Sequence, residues 1–433
     1  MNLSANRTRY PLVAACLVVL FVACAVQGDS KKSPSAPDQK TGWPQFLGPD
    51  RNGISRETGL LATWPQDGPP QIWRVAGGQG MSGLAISDGK LFTVVQKSER
   101  QWLLCLDAQT GQSQWEIDLA PAYRNAMGDG TRATPAVCGD TVFAFTGEGI
   151  LAALNTADGQ VVWHKDVVAQ FGGKPAEYGM AGSPLVVGKR VIVTVGAPQA
   201  TVLALDTSTG DVAWKAGKDL PAGYSSPVVL KVADREQLAV LHGTGGLGLD
   251  LETGAELWTY PYLTDFNCNI ATPLAVDGGV FLSAGENHGS VLLSLKPQGT
   301  KFDVALVWSS LGPKSVLRNE WQTSILLDGY LYGFDNVGGA GPVSHLTCVD
   351  ARTGERQWQQ LRFGKGNLMA ADGKLFLSTL QGEVVVVKAN PKRYEELGRK
   401  MVVGKTRQAP ALAGGLLYLR DDREIVCLDV RQK

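Results

Sequence analysis

A short fragment recurs along this chain at intervals of roughly 45 residues, which is the period of four-stranded propeller blades. In each copy an Asp or Asn follows an apolar residue, a Thr-Gly or Asp-Gly pair comes three residues later, and a Trp lies four residues after the Gly. The clearest copies begin at Leu106, Leu154, Leu205, Leu249 and Val349. The repeat therefore predicts an all-β fold of the propeller type.

Each part of the repeat has a physical role. The apolar run before the Asp is typical of a strand buried between neighbouring sheets. The Asp carboxylate can accept hydrogen bonds from the turn amides that follow, and the Gly supplies the positive φ that closes the hairpin. The Trp opens the outermost strand, where its ring can fill the wedge between two blades while its N–H finds a neighbouring backbone. We assign a structural, blade-docking role to Trp73, Trp115, Trp163, Trp214, Trp258, Trp308 and Trp358.

Counting the strands that precede the Asp position predicts eight four-stranded antiparallel blades. These strands end at Asp107, Asn155, Asp206, Asp250, Lys296, Asp350, Lys388 and Asp429. The copies ending at Lys296 and Lys388 are degenerate, because one has an insertion before its Trp and the other lacks the Thr-Gly turn. No outer strand follows Asp429, so we expect the N-terminal strand at residues 71–75 to close the last blade and the ring.

The N-terminus has the pattern of an export signal. Arg7 and Arg9 precede an apolar run over residues 12–23 that is too short for a membrane span. The run ends in Phe-Val-Ala-Cys, which resembles the bacterial lipobox and predicts lipidation of Cys24. The alternative is ordinary cleavage after Ala25, which would release a periplasmic protein. Either way the sequence predicts an exported protein of the cell envelope.

The sequence therefore divides into an export signal, a linker and one large domain. We expect the signal over residues 1–24, a flexible tether rich in Ser, Pro and Lys over residues 25–42, and the propeller over residues 43–433. The chain carries 41 basic and 41 acidic residues, so no charge asymmetry points to nucleic acid as a partner.

In a propeller, the loops leading into the inner strands and the loops joining second and third strands meet at one mouth of the central channel. Arginine and aromatic side chains there suit a planar anionic ligand, and carboxylate or amide oxygens suit calcium. The alternative is a solvated rim or a surface that docks a protein. We assign ligand or partner binding at this mouth to Arg132, Tyr178, Tyr224, Asn269, Glu286, Asn287, His288, Glu320, Trp321 and Arg407.

The repeat resembles the PQQ-like repeat of the quinoprotein alcohol dehydrogenase-like propellers, and the resemblance extends from about Trp43 to Asp429. Residues 43–53 also resemble the leader that precedes these repeats in a group of exported bacterial proteins. The resemblance implies the fold and leaves two functions open. Some members are quinone-dependent dehydrogenases, and others bind no quinone, among them the lipoprotein scaffold of the outer-membrane β-barrel assembly machinery.

Departures from the dehydrogenases favour the scaffold. Those enzymes carry an adjacent Cys pair over the cofactor and a Trp-Asp run, whereas this chain has no adjacent Cys pair and places Gln322 after Trp321. We expect a binding or assembly scaffold at the cell envelope that holds an envelope protein or an exposed peptide segment and reaches the membrane through its lipid anchor. We assign no catalytic residue, metal or cofactor. The alternative is a PQQ-dependent dehydrogenase with a reduced active site that holds PQQ and calcium.

Overall fold

A computed structural model describes residues 42–339 and 341–432 of the chain. The predicted export signal, the lipidation site at Cys24 and nearly all of the predicted tether lie outside the described residues. The described part belongs to one compact unit. No helix in this part is long and apolar enough to cross a membrane.

The described residues form eight four-stranded antiparallel sheets, which confirms the predicted eight-bladed propeller. Each blade alternates short turns with strands rich in Val, Leu and Phe, residues that pack well on a pleated surface. The strands are given from the innermost to the outermost. Blade 1 comprises β2 Ala85–Ser87, β3 Lys90–Lys97, β4 Arg100–Asp107 and β5 Ser113–Pro121, and blade 2 comprises β6 Ala136–Cys138, β7 Thr141–Phe145, β8 Ile150–Asn155 and β9 Val161–Asp166. Blade 3 comprises β10 Leu185–Val187, β11 Arg190–Ala197, β12 Ala200–Asp206 and β13 Val212–Ala216, and blade 4 comprises β14 Val228–Val232, β15 Arg235–His242, β16 Gly245–Leu249 and β17 Glu256–Pro261.

The second half of the ring repeats this arrangement. Blade 5 comprises β18 Leu274–Val276, β19 Gly279–Ala284, β20 Gly289–Gln298 and β21 Lys301–Leu311, and blade 6 comprises β22 Ile325–Leu327, β23 Tyr330–Asn336, β24 Ser344–Asp350 and β25 Arg356–Gln360. Blade 7 comprises β26 Gly366–Ala371, β27 Lys374–Thr379, β28 Glu383–Lys388 and β29 Glu396–Met401, and blade 8 comprises β30 Ala411–Ala413, β31 Leu416–Arg420, β32 Glu424–Asp429 and β1 Gln71–Ala76. Two single-turn 3-10 helices lie in the loops between blades, at Ala169–Phe171 and Asp265–Asn267.

The N-terminal strand closes the ring, as predicted. β1 pairs antiparallel with β32, and Trp73 lies opposite Cys427. The first strand of the domain thus supplies the outer strand that blade 8 lacks, so the first and last strands of the described residues are held in one sheet. The apolar core lies between adjacent blades, as where Phe143 of blade 2 and Val193 of blade 3 belong to one buried cluster.

The repeat motif fastens each blade to the next. In blade 1, Asp107 Oδ1 accepts hydrogen bonds from the N–H groups of Gln109 and Thr110, and Gly111 adopts a φ of 73°. Trp73 of blade 8 packs on this turn, so closely that a Cβ at Gly111 would lie 2.8 Å from its ring. The Gly is therefore required twice, for its backbone conformation and for the approach of the Trp.

This contact recurs around most of the ring. Six of the predicted tryptophans donate their indole N–H to a backbone carbonyl of the next blade, at 2.8 to 3.2 Å. The acceptors of Trp73, Trp115, Trp163, Trp214, Trp308 and Trp358 are the carbonyls of Ala108, Thr156, Thr207, Leu251, Ala351 and Asn390.

Trp258 departs from this pattern. Its indole N–H donates to Gln237 Oε1 in its own blade at 2.5 Å, and its ring lies against Gly248. The cause lies in blade 5, where β20 and β21 continue as a long hairpin past Lys296. That hairpin replaces the Asp-x-x-Thr-Gly turn, so Trp258 has no turn carbonyl to bind.

Blade 7 has no repeat Trp, and a Trp from the segment between the leader and β1 replaces it. Trp64, which is 8% exposed, packs on Gly398 of β29, where a Cβ would lie 2.4 Å from the Trp64 Cβ. Its backbone N–H donates to the Leu397 carbonyl. Trp64 and Trp73 belong to the same buried cluster. A residue outside the repeats thus fills the position that the degenerate copy leaves open.

The blades define two faces of the ring. The loops leading into the inner strands and the loops joining second and third strands lie on one face, here named the top face. The two-residue turns and the Asp-x-x-Thr-Gly turns lie on the opposite, bottom face.

The leader seals the bottom end of the central channel. Trp43 exchanges two backbone hydrogen bonds with Ile86 in blade 1, and the Ser55 N–H donates to the Ala370 carbonyl in blade 7. Between these points Arg51, 2% exposed, donates to three carbonyls of the inner segments of blades 3 and 4. Burial lowers the pKa of Arg51 to about 9. The channel is therefore open only toward the top face.

Candidate functional site

The central channel holds a cavity of about 190 Å³ beneath the top face. The structure brings five of the predicted site residues together on its wall. They precede the inner strands of blades 2, 3, 4, 6 and 8, which is why residues so distant in sequence meet at one place. These five are Arg132, Tyr178, Tyr224, Trp321 and Arg407.

The two arginines hold the loop that joins blades 1 and 2. Arg132 donates from Nε to the Tyr178 carbonyl at 2.8 Å and from Nη2 to the Gly128 carbonyl at 2.6 Å. Arg407 donates from Nη1 to the Met127 carbonyl at 2.6 Å. Burial lowers the pKa of both arginines. Both cations thus bind neutral carbonyl groups of the same loop.

Aromatic rings form much of the upper wall. Tyr178 and Tyr224 stack with their ring centres 5.7 Å apart, and the Tyr178 N–H donates to the Tyr224 hydroxyl at 3.3 Å. The Trp321 ring faces two cations, with Lys365 Nζ 4.4 Å and Arg407 Cζ 4.7 Å from its centre. Cation–π contacts of this kind orient the indole at the cavity wall.

Glu320 is neutralised by its neighbour from the next blade. Lys365 Nζ lies 2.6 Å from Glu320 Oε2, and both side chains are 8% exposed. Burial raises the pKa of Glu320, while the Lys365 ammonium opposes that shift. The Lys365 ammonium thus compensates the charge of the buried Glu320 carboxylate. That carboxylate is bound within the protein.

The remaining predicted residues lie apart from the cavity wall. Asn269 is fully buried, and its Nδ2 donates to the carbonyls of His242 and Tyr262, so it fixes two loops. Glu286 and Asn287 form a tight turn with φ values of 50° and 56°. His288 packs edge-on against Tyr262 with ring centres 4.3 Å apart, and burial lowers its pKa.

Sequence reasoning missed the apolar part of the cavity. The floor comes from Trp43, Phe46 and Leu47 of the leader, and the side wall includes Met81 and Met127. Residues 43–53 resemble the leader of other exported propellers, but no periodic pattern in them indicates that they enter the channel. Met81 precedes the inner strand of blade 1 at the same repeat position that Arg132 occupies in blade 2. That equivalence is the signal that could identify Met81 as a wall residue.

The residues present do not fit a PQQ–calcium centre. Gln322, in place of the dehydrogenase carboxylate, donates from Nε2 to the Phe334 carbonyl and is 5% exposed. Within residues 42–339 and 341–432, no three His, Cys, Asp or Glu side chains converge to hold a metal ion. Cys138 and Cys268 are free thiols. The wall offers cations and ring faces but lacks the oxygen cluster that calcium requires.

Exposed large apolar side chains fall into two sets over the described ranges. One set lies on outer strands beside the repeat tryptophans and comprises Ile72, Val161, Val162, Val212, Leu306 and Val307. The other lies in loops and strand ends of the top face and comprises Met127, Leu263, Phe266, Leu311, Leu361 and Met401. The bottom-face turns of the described residues contribute none. The top face is therefore the more apolar of the two faces.

The chain matches the model of the protein family described as outer membrane protein assembly factor BamB over residues 99–360 and 342–432. It is 25% identical over 272 residues to the BamB of Yersinia pestis, a match that covers 59% of this chain and 63% of that protein. It is 28% identical over 275 residues to the BamB of Shewanella oneidensis, covering 60% of this chain and 65% of that protein. The chain thus spans less than two thirds of the length of these two relatives.

Solved structures share the fold. A quinohemoprotein alcohol dehydrogenase from Comamonas testosteroni superposes with a TM-score of 0.67 at 14% identity, covering 91% of this chain and 81% of that one. BamB from Moraxella catarrhalis superposes with a TM-score of 0.59 at 15% identity, covering 83% of this chain and 99% of that one. At such identities the likeness concerns the propeller alone.

Proposed function

The chain belongs to the family of the outer membrane protein assembly factor BamB, and from this premise we propose that it is a protein-binding scaffold for the assembly of outer-membrane proteins. The family match carries this proposal, because it covers most of the propeller rather than one motif. The role needs a rigid ring with a surface that binds a partner protein, and it needs no reacting group.

The top face is the docking surface in this proposal. Leu263 and Phe266 support it, since they are 65% and 64% exposed in the loop between blades 4 and 5. Phe266 adopts a φ of 57°, a conformation that a bulky residue rarely takes, so the loop presents the ring at a cost in backbone strain. Exposed apolar residues with a polar surround are typical of protein interfaces.

The ring beneath this face is suited to a scaffold. Its closure through β1 and the leader's contacts from blade 1 to blade 7 restrain the relative motion of the blades. The carboxylate of Glu320 and the amide of Asn269 serve internal contacts, as described above. The scaffold would be exported and anchored through a lipid on Cys24, which would place the ring at the membrane surface.

Site-specific photo-crosslinking tests the docking face. A benzoylphenylalanine at Phe266 is expected to crosslink to an envelope protein in living cells. The same group at Val162, which is 51% exposed on the outer strand of blade 2, is the matched control and is expected to remain uncrosslinked. Crosslinks that form at Val162 and not at Phe266 would move the interface to the flank of the ring.

A ligand assay separates the scaffold from the dehydrogenase. The purified protein is mixed with PQQ and calcium, and its thermal transition is measured together with dye reduction by an alcohol. The scaffold predicts no dye reduction. A transition raised by several degrees together with alcohol-dependent dye reduction would refute it.

A further inference from the structure

The channel cavity has the polarity of a site for a small amphiphile. Its floor is apolar, formed by Trp43, Phe46 and Leu47 of the leader. Its mouth carries the guanidinium groups of Arg132 and Arg407. The leader closes the bottom, so a molecule can enter only from the top face and must place one end near the cations and the other near the floor.

The two cations at the mouth are bound only by uncharged groups. The hydrogen bonds of Arg407 come from Nη1 alone, with the Met127 carbonyl at 2.6 Å and the Met81 sulfur at 3.7 Å. Its Nε and Nη2 have no hydrogen-bond partner among the described residues. Arg132 donates to backbone carbonyls from all three nitrogens. Within the described part of the chain, Asp129 pairs with Arg124 and Glu320 with Lys365, and neither Arg132 nor Arg407 forms an ion pair with a carboxylate.

Nearby carboxylates act on the two arginines only through space: Asp422 and Glu320 raise the pKa of Arg407 and Asp129 raises that of Arg132, but burial outweighs them, and none of the three forms a hydrogen bond with either guanidinium among the described residues. Glu320 is paired with Lys365, and Asp422 accepts a hydrogen bond from the Gly80 N–H. Arg132 and Arg407 also repel each other, and this repulsion adds to burial in lowering the pKa of Arg132. Two largely desolvated like charges whose direct hydrogen-bond partners are all neutral are a costly arrangement, and an anion in direct contact with both would relieve it.

We propose that the cavity binds a single-chain anionic amphiphile, with its carboxylate or phosphate head at Arg407 and Arg132 and its alkyl chain on the leader residues. A carboxylate can bind Nε and Nη2 of Arg407 together, and a bidentate pair of this kind adds both energy and geometric specificity to a charge-assisted bond. At Arg132, all of whose nitrogens bind carbonyls, the head group competes with the Gly128 carbonyl, whereas Nη1 of Arg407 can keep its bond to the Met127 carbonyl. Binding then loosens the loop at residues 123–130 on the side of Gly128.

The docking residues Leu263 and Phe266 do not line the cavity, so substitutions there and substitutions at the cavity arginines test the scaffold function and the ligand site separately. Loss of docking and loss of amphiphile binding are therefore separate outcomes. The proposal also differs from quinone binding, since it needs neither a metal ion nor a planar ligand.

Calorimetry with three probes tests the chemistry of the head group. Octanoate and octyl phosphate are expected to bind the full chain, and octanol, which has the same tail without charge, is expected to bind at least about tenfold more weakly, in line with the loss of a charge-assisted bond. Tighter octyl phosphate binding would assign a phosphate head, and tighter octanoate binding a fatty acid. Equal binding of octanol would overturn the proposal.

Variants locate the site. Arg407→Gln is expected to weaken octanoate binding at least about tenfold, and Arg407→Lys to weaken it less, because Lys keeps the charge and loses the planar fork. Arg100→Gln, on the outer part of blade 1, is the matched control and should bind as the wild type does. Circular dichroism verifies that each variant is folded. Wild-type affinity in folded Arg407→Gln would refute the site.

Hydrogen exchange tests the release of the loop. Octanoate is expected to increase amide exchange over residues 125–130 while it protects residues 43–47 on the cavity floor. Octanoate binding that leaves exchange at residues 125–130 unchanged would overturn the competition with the loop carbonyls.

Discussion

The contact between a turn Gly and the Trp of the preceding blade gives a quantitative prediction. Gly188 and Gly210 both lie in blade 3 with positive φ values of 56° and 68°. A Cβ at Gly188 would meet nothing within 4 Å, whereas a Cβ at Gly210 would lie 2.7 Å from the Trp163 ring. The two sites share the backbone penalty, and only Gly210 adds a clash.

The magnitudes follow from these two terms. A left-handed conformation costs an L-residue about 1–2 kcal/mol, which is the expected loss of unfolding free energy for Gly188→Ala. Overpacking a well-packed site costs about 1–3 kcal/mol, so Gly210→Ala should lose that amount in addition. Guanidinium unfolding of both variants measures the difference directly.

A double-mutant cycle isolates the Trp contact. In a Trp163→Leu background the ring is absent, so the excess cost of Gly210→Ala over Gly188→Ala should fall below about 0.5 kcal/mol. Equal destabilisation by the two Ala variants in the wild-type background would refute the reasoning, because the Gly would then serve the turn alone.

Three further predictions concern charge and anchoring. His242 is 4% exposed, and burial lowers its pKa to about 4, below the unfolded value of about 6.5. The free energy of unfolding should therefore fall by about 3 kcal/mol as the pH drops from 6.5 to 4. His242→Gln should flatten that part of the pH–stability curve, and an unchanged curve would contradict the lowered pKa of His242. Lys365→Met should destabilise the fold by about 3–5 kcal/mol because it leaves the Glu320 carboxylate buried without its cation; adding Glu320→Gln should restore part of the loss in chemical unfolding. Cys24→Ser should move the protein from the membrane fraction to the soluble fraction, and unchanged membrane partition would exclude lipidation there.

The repeat made most of the fold predictable from sequence. Eight blades, their antiparallel strands and closure through Trp73 all follow from a pattern that local sequence encodes clearly in most copies and in part in the two degenerate ones. The placement of Trp64 and Arg51 was not predictable. Their contacts occur once, between residues that precede the repeats and distant blades, and no repeating pattern marks a contact of that kind.

The candidate site was predictable in position and not in detail. Loop position alone placed Arg132 and Trp321 at the channel mouth, since the propeller topology fixes where such loops meet. Loop position could not indicate that the Asn269 side chain donates to two backbone carbonyls or that Glu320 pairs with Lys365. Those partners depend on side-chain directions across blades, which the repeat does not determine.

The proposed role of this propeller is to support outer-membrane protein assembly through its top face. The most direct measurement is the amount of folded outer-membrane β-barrel protein in cells of the source bacterium that lack the gene and carry a variant copy. We predict that the wild type and Val161→Glu/Val162→Glu restore the folded amount, whereas Leu263→Glu/Phe266→Glu, at equal protein level, does not. Full restoration by Leu263→Glu/Phe266→Glu would contradict docking through the top face. An unchanged amount of folded β-barrel protein when the gene is absent would contradict the assembly role itself.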